Sequence, residues 1–220
     1  MKRLCFFLLI ASFGIKLDAQ VYEQYKTMSL GDRNALTMTI PQNKDKFVSG
    51  MWSDYMKEFY NAKSKFNKKT DEWFTDDADI PAIGLGNTVD VYATVEQIND
   101  DVRIAVWFDL GGAFLSLREH YDRYPEAEKL MMRFALEVAK KSTEVQLDAE
   151  EKKLKDLEND LKKLQNGVER YQKDIERARE AIRKAEEGIA KSEKDQAETL
   201  DKIEQQKKAI DAVRRKLNDL

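Results

Sequence analysis

The chain has 220 residues, 36% of them charged, with 38 Lys+Arg against 41 Asp+Glu, one histidine and one cysteine. No basic stripe of the kind a phosphate backbone requires is present, which argues against nucleic acid as a ligand. A lone His120 excludes a multi-histidine metal centre, and Cys5 as the only thiol excludes a disulfide framework.

The N-terminus has the order of a secretory signal. Lys2 and Arg3 precede an apolar run from Leu4 to Ile15, and Leu17-Asp18-Ala19 offers a cleavage site before Gln20. The run is long enough for a signal h-region and too short to span a bilayer. Residues 1–19 are therefore expected to be removed, taking Cys5 with them, and no later stretch is continuously apolar. Residues 20–33 are polar, contain Gly31-Asp32, and read as a flexible leader.

From Asn34 to about residue 144 the composition is that of a folded head, with Trp52, Trp73 and Trp107 and β-branched residues punctuated by Gly and Pro. Asn34 to Ile40 alternates as a strand does. A helix is expected after Pro41, a residue tolerated in a first helical turn; its apolar face is Phe47, Val48, Met51, Trp52, Tyr55, Met56, Phe59 and Tyr60. Ala62 to Asn67 and Thr70 to Thr75 read as two short strands, and Asp76 to Asn87 as a loop. Val89, Val91, Ala93 and Val95 alternate with polar neighbours. After Asn99-Asp100-Asp101, Val102, Ile104, Val106, Phe108 and Leu110 do the same. Period-two patterning on both sides of an Asn/Asp turn predicts an antiparallel hairpin. The helix around Trp52 is its expected cover. Gly111-Gly112 ends the second strand, and a last helix is expected from Tyr124-Pro125-Glu126. The head is thus read as α+β, β-α-β-β-β-β-α: a small antiparallel sheet with a covering helix.

Residues 145–220 change period. A first series recurs every seven residues: Leu147, Leu154, Leu161, Val168, Ile175, Ile182, Ile189, Gln196, Ile203, Ile210 and Leu217. A second follows three residues later: Glu150, Leu157, Leu164, Tyr171, Ala178, Ala185, Ser192, Thr199, Gln206, Val213 and Leu220. These are the a and d positions of a left-handed coiled coil, held without the drift of about 20° per heptad that a straight helix would show. The oligomerisation seam is assigned to Leu147, Leu154, Leu157, Leu161, Leu164, Val168, Tyr171, Ile175, Ile182, Ile189, Ile203, Ile210, Val213 and Leu217. Polar or small residues from Ala178 to Gln206 thin its middle. Asn166-Gly167 offers a place for the helix to turn back on itself. The heptad phase runs straight through it, which favours one continuous helix. Charge in this segment is balanced, 19 basic against 19 acidic residues.

Signs of chemistry are sparse. No phosphate loop and no Gly-rich dinucleotide fingerprint occurs. The coil resembles SMC-type repair ATPases in composition, but without an ATP-binding head that likeness implies no ATPase. His120 reads as a surface residue, and no nucleophile motif accompanies it. Asp76, Asp77 and Asp79 lack EF-hand spacing and read as a solvated loop. Trp73 and Trp107 read as core before they read as a binding platform. No catalytic, cofactor or metal site is assigned.

Val89-Asp90-Val91-Tyr92-Ala93, the stretch from Val106 to Leu115 (VWFDLGGAFL) and Phe134-Ala135-Leu136-Glu137-Val138-Ala139, followed by a coil, resemble a family of exported Bacteroidota proteins with an α+β head and a C-terminal coiled coil. The resemblance implies export to the periplasm or envelope and transfers no catalytic residue. The sequence thus leads to a non-enzymatic scaffold or adaptor. Its expected partner is itself, as a dimer or trimer, or another coiled-coil protein. A periplasmic holdase chaperone and a ligand-binding or enzymatic head are the alternatives.

Overall fold

A computed structural model describes residues 20–218, with side chains to residue 215. The expected signal segment, residues 1–19, and the side chain of Leu217 lie outside the described residues. The chain divides into two compact units, the first ending at Asp148 and the second beginning at Ala149. The elements in order are β1 (Tyr22–Met28), β2 (Gly31–Ile40), α1 (Asp45–Tyr60), β3 (Ser64–Asn67), β4 (Glu72–Ala78), α2 (Pro81–Gly84), β5 (Val89–Ile98), β6 (Asp101–Asp109) and α3 (Tyr124–Asn218).

The strands form one antiparallel sheet in the order β1-β2-β6-β5-β4-β3. At its centre is the expected hairpin, with Ile98 opposite Asp101 and Val91 opposite Phe108. Asn99 takes φ +56, the left-handed conformation that a two-residue turn between twisted strands requires. The alternation read from the sequence sorts the two faces. Val89, Val91, Ala93, Val102, Ile104, Val106 and Phe108 join the main core with Leu36, Met38 and Ile40.

Two helices cover that face. α1 brings Val48, Trp52, Tyr55 and Met56. The first turns of α3 bring Ala127, Leu130, Met131, Phe134, Ala135 and Val138. Trp52 meets Phe134 edge to face at 5.1 Å, and Tyr55 meets it at 5.4 Å. The Tyr55 hydroxyl donates to the Leu130 carbonyl at 3.2 Å. The helix near Trp52 is therefore one of two covers.

Residues 20–33 are not a leader. Tyr22 to Met28 pair residue by residue with Thr37 back to Gly31, closed by a two-residue turn at Ser29-Leu30. Only Met28 of β1 is buried, so the strand carries almost no periodic apolar signal and is held by backbone pairing. β2 pairs with β6 only over Leu36 to Ile40. Beyond that point the β1–β2 hairpin bends over the sheet face opposite α1. There Met28, Ala35, Ala105 and Trp107 form a second, smaller core against Tyr92 and Phe114. Trp107 is fully buried, and its Nε1 donates to the Arg33 carbonyl at 3.4 Å.

Three further boundaries differ from expectation. α1 begins at Asp45, so Pro41 sits in the turn after β2 and not in a first helical turn. The segment read as a loop after Thr75 contains the end of β4, with a register shift between Thr75 and Ala78, and the short helix α2 at Pro81. The strand read from Asn34 begins at Gly31. The architecture remains α+β, a six-stranded antiparallel sheet with covering helices and a long C-terminal helix.

Candidate functional site

In the second unit α3 is helical at every described residue from Ala149 to Asn218, including Asn166 and Gly167. No helix reversal occurs there. Alanine, leucine, lysine, arginine and glutamate, all good helix formers, dominate the segment. Charged neighbours at i,i+3 and i,i+4 reinforce it, among them Lys163–Asp160 at 2.9 Å, Arg183–Glu180 at 2.7 Å and Lys208–Glu204 at 2.9 Å. Each such exposed pair contributes only about 0.2–0.5 kcal/mol. Their value is placement: these residues occupy b, c, f and g positions, and from Leu154 to Val213 no a or d position carries a charge.

The seam residues in this unit are exposed: Leu154, Leu157, Leu161, Leu164, Val168, Tyr171, Ile175, Ile182, Ile189, Ile203, Ile210 and Val213 stand between 42 and 69% accessible. In the first unit Leu147 is 57% exposed, on a helix whose buried residues end at Val138. Leu200, one position after Thr199, is a further exposed apolar residue at 65% that the seam reading did not include; it lies at an e position, flanking the stripe. Arg170 lies over the Tyr171 ring at 5.2 Å, so the one aromatic residue of the seam carries a cation beside it.

Such a stripe is costly to leave in water. Burying a Leu, Ile or Val side chain stabilises by roughly 1.5–3 kcal/mol. A monomeric soluble protein seldom leaves an apolar patch of more than a few hundred Å² in water. The stripe recurs at seven residues, the spacing of a and d positions in a coiled coil.

Several polar residues of the head hydrogen-bond to its own backbone and side chains. Asp76 and Asp77 approach Asp90, not Asp79, with carboxylate oxygens within 4.8 Å of one another. Asp77 holds φ +50 at the β4 bulge. Its N–H donates to Asp90 Oδ1 at 2.9 Å, and Thr88 Oγ1 donates to Asp77 Oδ1 at 2.7 Å. The Asp77 and Asp90 carboxylates thus serve as acceptors that fix the bulge. Gly111 and Gly112, at φ +96 and +105, both direct their N–H groups to Asp109 Oδ1 at 3.0 and 2.7 Å. The turn needs glycine for its backbone angles; a Cβ at either position would meet nothing within 4 Å. His120 is half-buried, its Nδ1 accepting the Ser116 N–H at 3.3 Å, while Ser116 Oγ accepts from the Glu119 N–H at 3.3 Å. That arrangement caps a turn. Trp73 lines an open cleft of about 280 Å³ with Phe66, Asp45 and Asp71, its Nε1 donating to Ser49 Oγ at 2.7 Å.

Among the described residues no helix is long and apolar enough to cross a membrane. Comparison with protein-family models, with curated protein sequences and with solved structures returns no match to this chain.

Proposed function

We propose that this chain is an exported, non-enzymatic scaffold or adaptor of the periplasm or envelope, in which the second unit joins copies through a coiled coil and the head recognises a partner. One observation carries the reading: a sevenfold apolar stripe, exposed along a helix whose remaining faces are charged. The order of Lys2-Arg3, apolar run and Ala19 supports export. The polar groups of the head support the absence of catalysis, because Ser116, His120, Asp109, Asp77 and Asp90 are engaged in turns and a bulge.

Sedimentation velocity on the protein from Gln20 onward, at micromolar concentration, tests the proposal. The expected result is a concentration-dependent multimer of high frictional ratio. A monomer at every concentration up to 100-fold above that range overturns it.

A further inference from the structure

We infer that the helix covering the seam is a second copy of this chain, running parallel and in register, so that the coil is a two-stranded homodimer. This rests on the self-association proposed above and adds its partner, order and orientation. Ten or so aliphatic side chains, each about half exposed, present on the order of 1,000 Å² per copy, the scale that a specific interface needs.

The distribution of branched side chains favours parallel strands. From Val168 to Ile210 the a positions hold valine and isoleucine, interrupted only by Gln196, while the d positions hold Tyr171, Ala178, Ala185 and Ser192 before Thr199 and Gln206. In a parallel two-stranded coil a meets a and d meets d, in layers of different geometry, and β-branched residues suit a. An antiparallel coil mixes a with d in every layer and gives no reason for that segregation. Alanine and serine at d also favour two strands, since a third helix would enclose holes at those layers.

Polar layers fix the register. Ser192, Gln196, Thr199 and Gln206 each meet their own copy when the chains run in register. Hydroxyls and primary amides both donate and accept, so like pairs satisfy one another. A fully overlapped antiparallel pair sets Gln206 against Leu161 and Gln196 against Tyr171, leaving amides to desolvate against apolar or aromatic groups. Flanking charges agree in the first half of the coil, with Lys153 beside Glu158 and Asp174 beside Arg179 of the other copy; Lys202 meets Lys207 as a like pair. In the single chain Asp174 pairs with Arg177 of its own helix at 3.5 Å, so the second copy supplies an alternative cation. The antiparallel arrangement has one advantage, even filling of Ile182 against Ala185, and it opposes Asp174 to Asp195.

Parallel strands bring the two Ala149 ends together. Two heads are then tethered at one end of the coil, an arrangement that raises binding to a repeated target by ~10²–10⁴ without a new contact.

Disulfide trapping in the full chain with Cys5→Ser tests this. Val168→Cys and Val213→Cys are made separately, and each is oxidised mildly under native conditions and in denaturant. The expected result is near-complete intermolecular disulfide in both variants, natively only, with the reduced proteins sedimenting as dimers like the parent. In the antiparallel pairing Val168 faces Thr199, so a mixture of Val168→Cys and Thr199→Cys proteins would cross-link while neither single variant does. That outcome overturns the orientation and leaves self-association standing. Dimers that trap none of these pairs overturn the in-register claim, and trimers overturn the strand number. A monomer in sedimentation overturns self-association itself and leaves the seam to a different coiled-coil protein.

Discussion

The backbone N–H of Ser29 donates to Oε1 of Glu72 at 2.7 Å, joining residues 43 positions apart. Ser29 is at the tip of the β1–β2 hairpin and Glu72 opens β4, three strands away from β2 in the sheet order. With Lys26–Glu96 at 3.9 Å, this contact holds the hairpin down over Trp107. Glu72 is 4% exposed, so its carboxylate is matched to that donor and not to bulk water. Glu72→Ala leaves the N–H without its acceptor at a cost of about 1–3 kcal/mol. The expected outcome is faster amide exchange confined to residues 22–35, with a lower thermal midpoint. Uniform exchange across the head would show that the contact does not hold the hairpin.

Trp52 is fully buried, and its Nε1 has no hydrogen-bond partner among the described residues. Trp52→Ala empties the space beside Phe134 and should cost about 3–5 kcal/mol. Trp52→Phe keeps much of the volume and removes an unsatisfied donor, so its cost should be less than half as large. Urea unfolding followed through the remaining Trp73 and Trp107 fluorescence compares the two variants. Equal losses would mean that volume at this site counts for nothing.

Alkali should unfold the head through buried tyrosines. Burial chiefly, then Glu23 and Glu128, raises the Tyr124 hydroxyl from 10.0 to about 12. Burial likewise raises Tyr55, with Tyr60 adding to it. A tyrosine that keeps its proton longer when folded gives stability that is complete below pH 10 and is lost as pH rises toward 12. Tyr124→Phe removes that dependence, so its alkaline midpoint should lie above the parent's. Circular dichroism at 280 nm against pH measures this; an unchanged midpoint would exclude Tyr124 as a contributor.

Charge placed in the seam should separate the copies. Ile182→Asp with Ile189→Asp converts two core layers to opposed carboxylates. Self-affinity should fall at least ~1,000-fold, or about 4 kcal/mol. Sedimentation reads the loss, and helicity should fall with it, since most helical stability in proteins comes from packing of an apolar face. The thermal transition of the head should not move, because both residues lie in the second unit. Unchanged sedimentation would remove these layers from any interface.

Period was the part of the structure legible in the residues. Two-residue alternation around Asn99-Asp100 gave β5 and β6, and Tyr124-Pro125 gave the start of α3. Seven-residue recurrence marked the stripe now seen exposed along that helix. Each of these is a local pattern, fixed by the geometry of a strand or helix whatever packs against it. β1 had no such pattern. Its Tyr22, Tyr25 and Lys26 are solvated or half-solvated, and the strand exists because β2 offers it a ladder of hydrogen bonds.

Sequence by itself therefore determined which segments are strands and helices wherever a repeating apolar face identifies them, and that the long helix carries an apolar stripe at seven-residue spacing. Only the tertiary structure decided that residues 22–35 fold over the far face of the sheet, that Trp107 is core on that side, and that Asp90 joins Asp76 and Asp77 across a bulge. The physical reason is range. A period is written in neighbouring residues, whereas Ser29 and Glu72 meet only when β2, β6, β5 and β4 lie side by side.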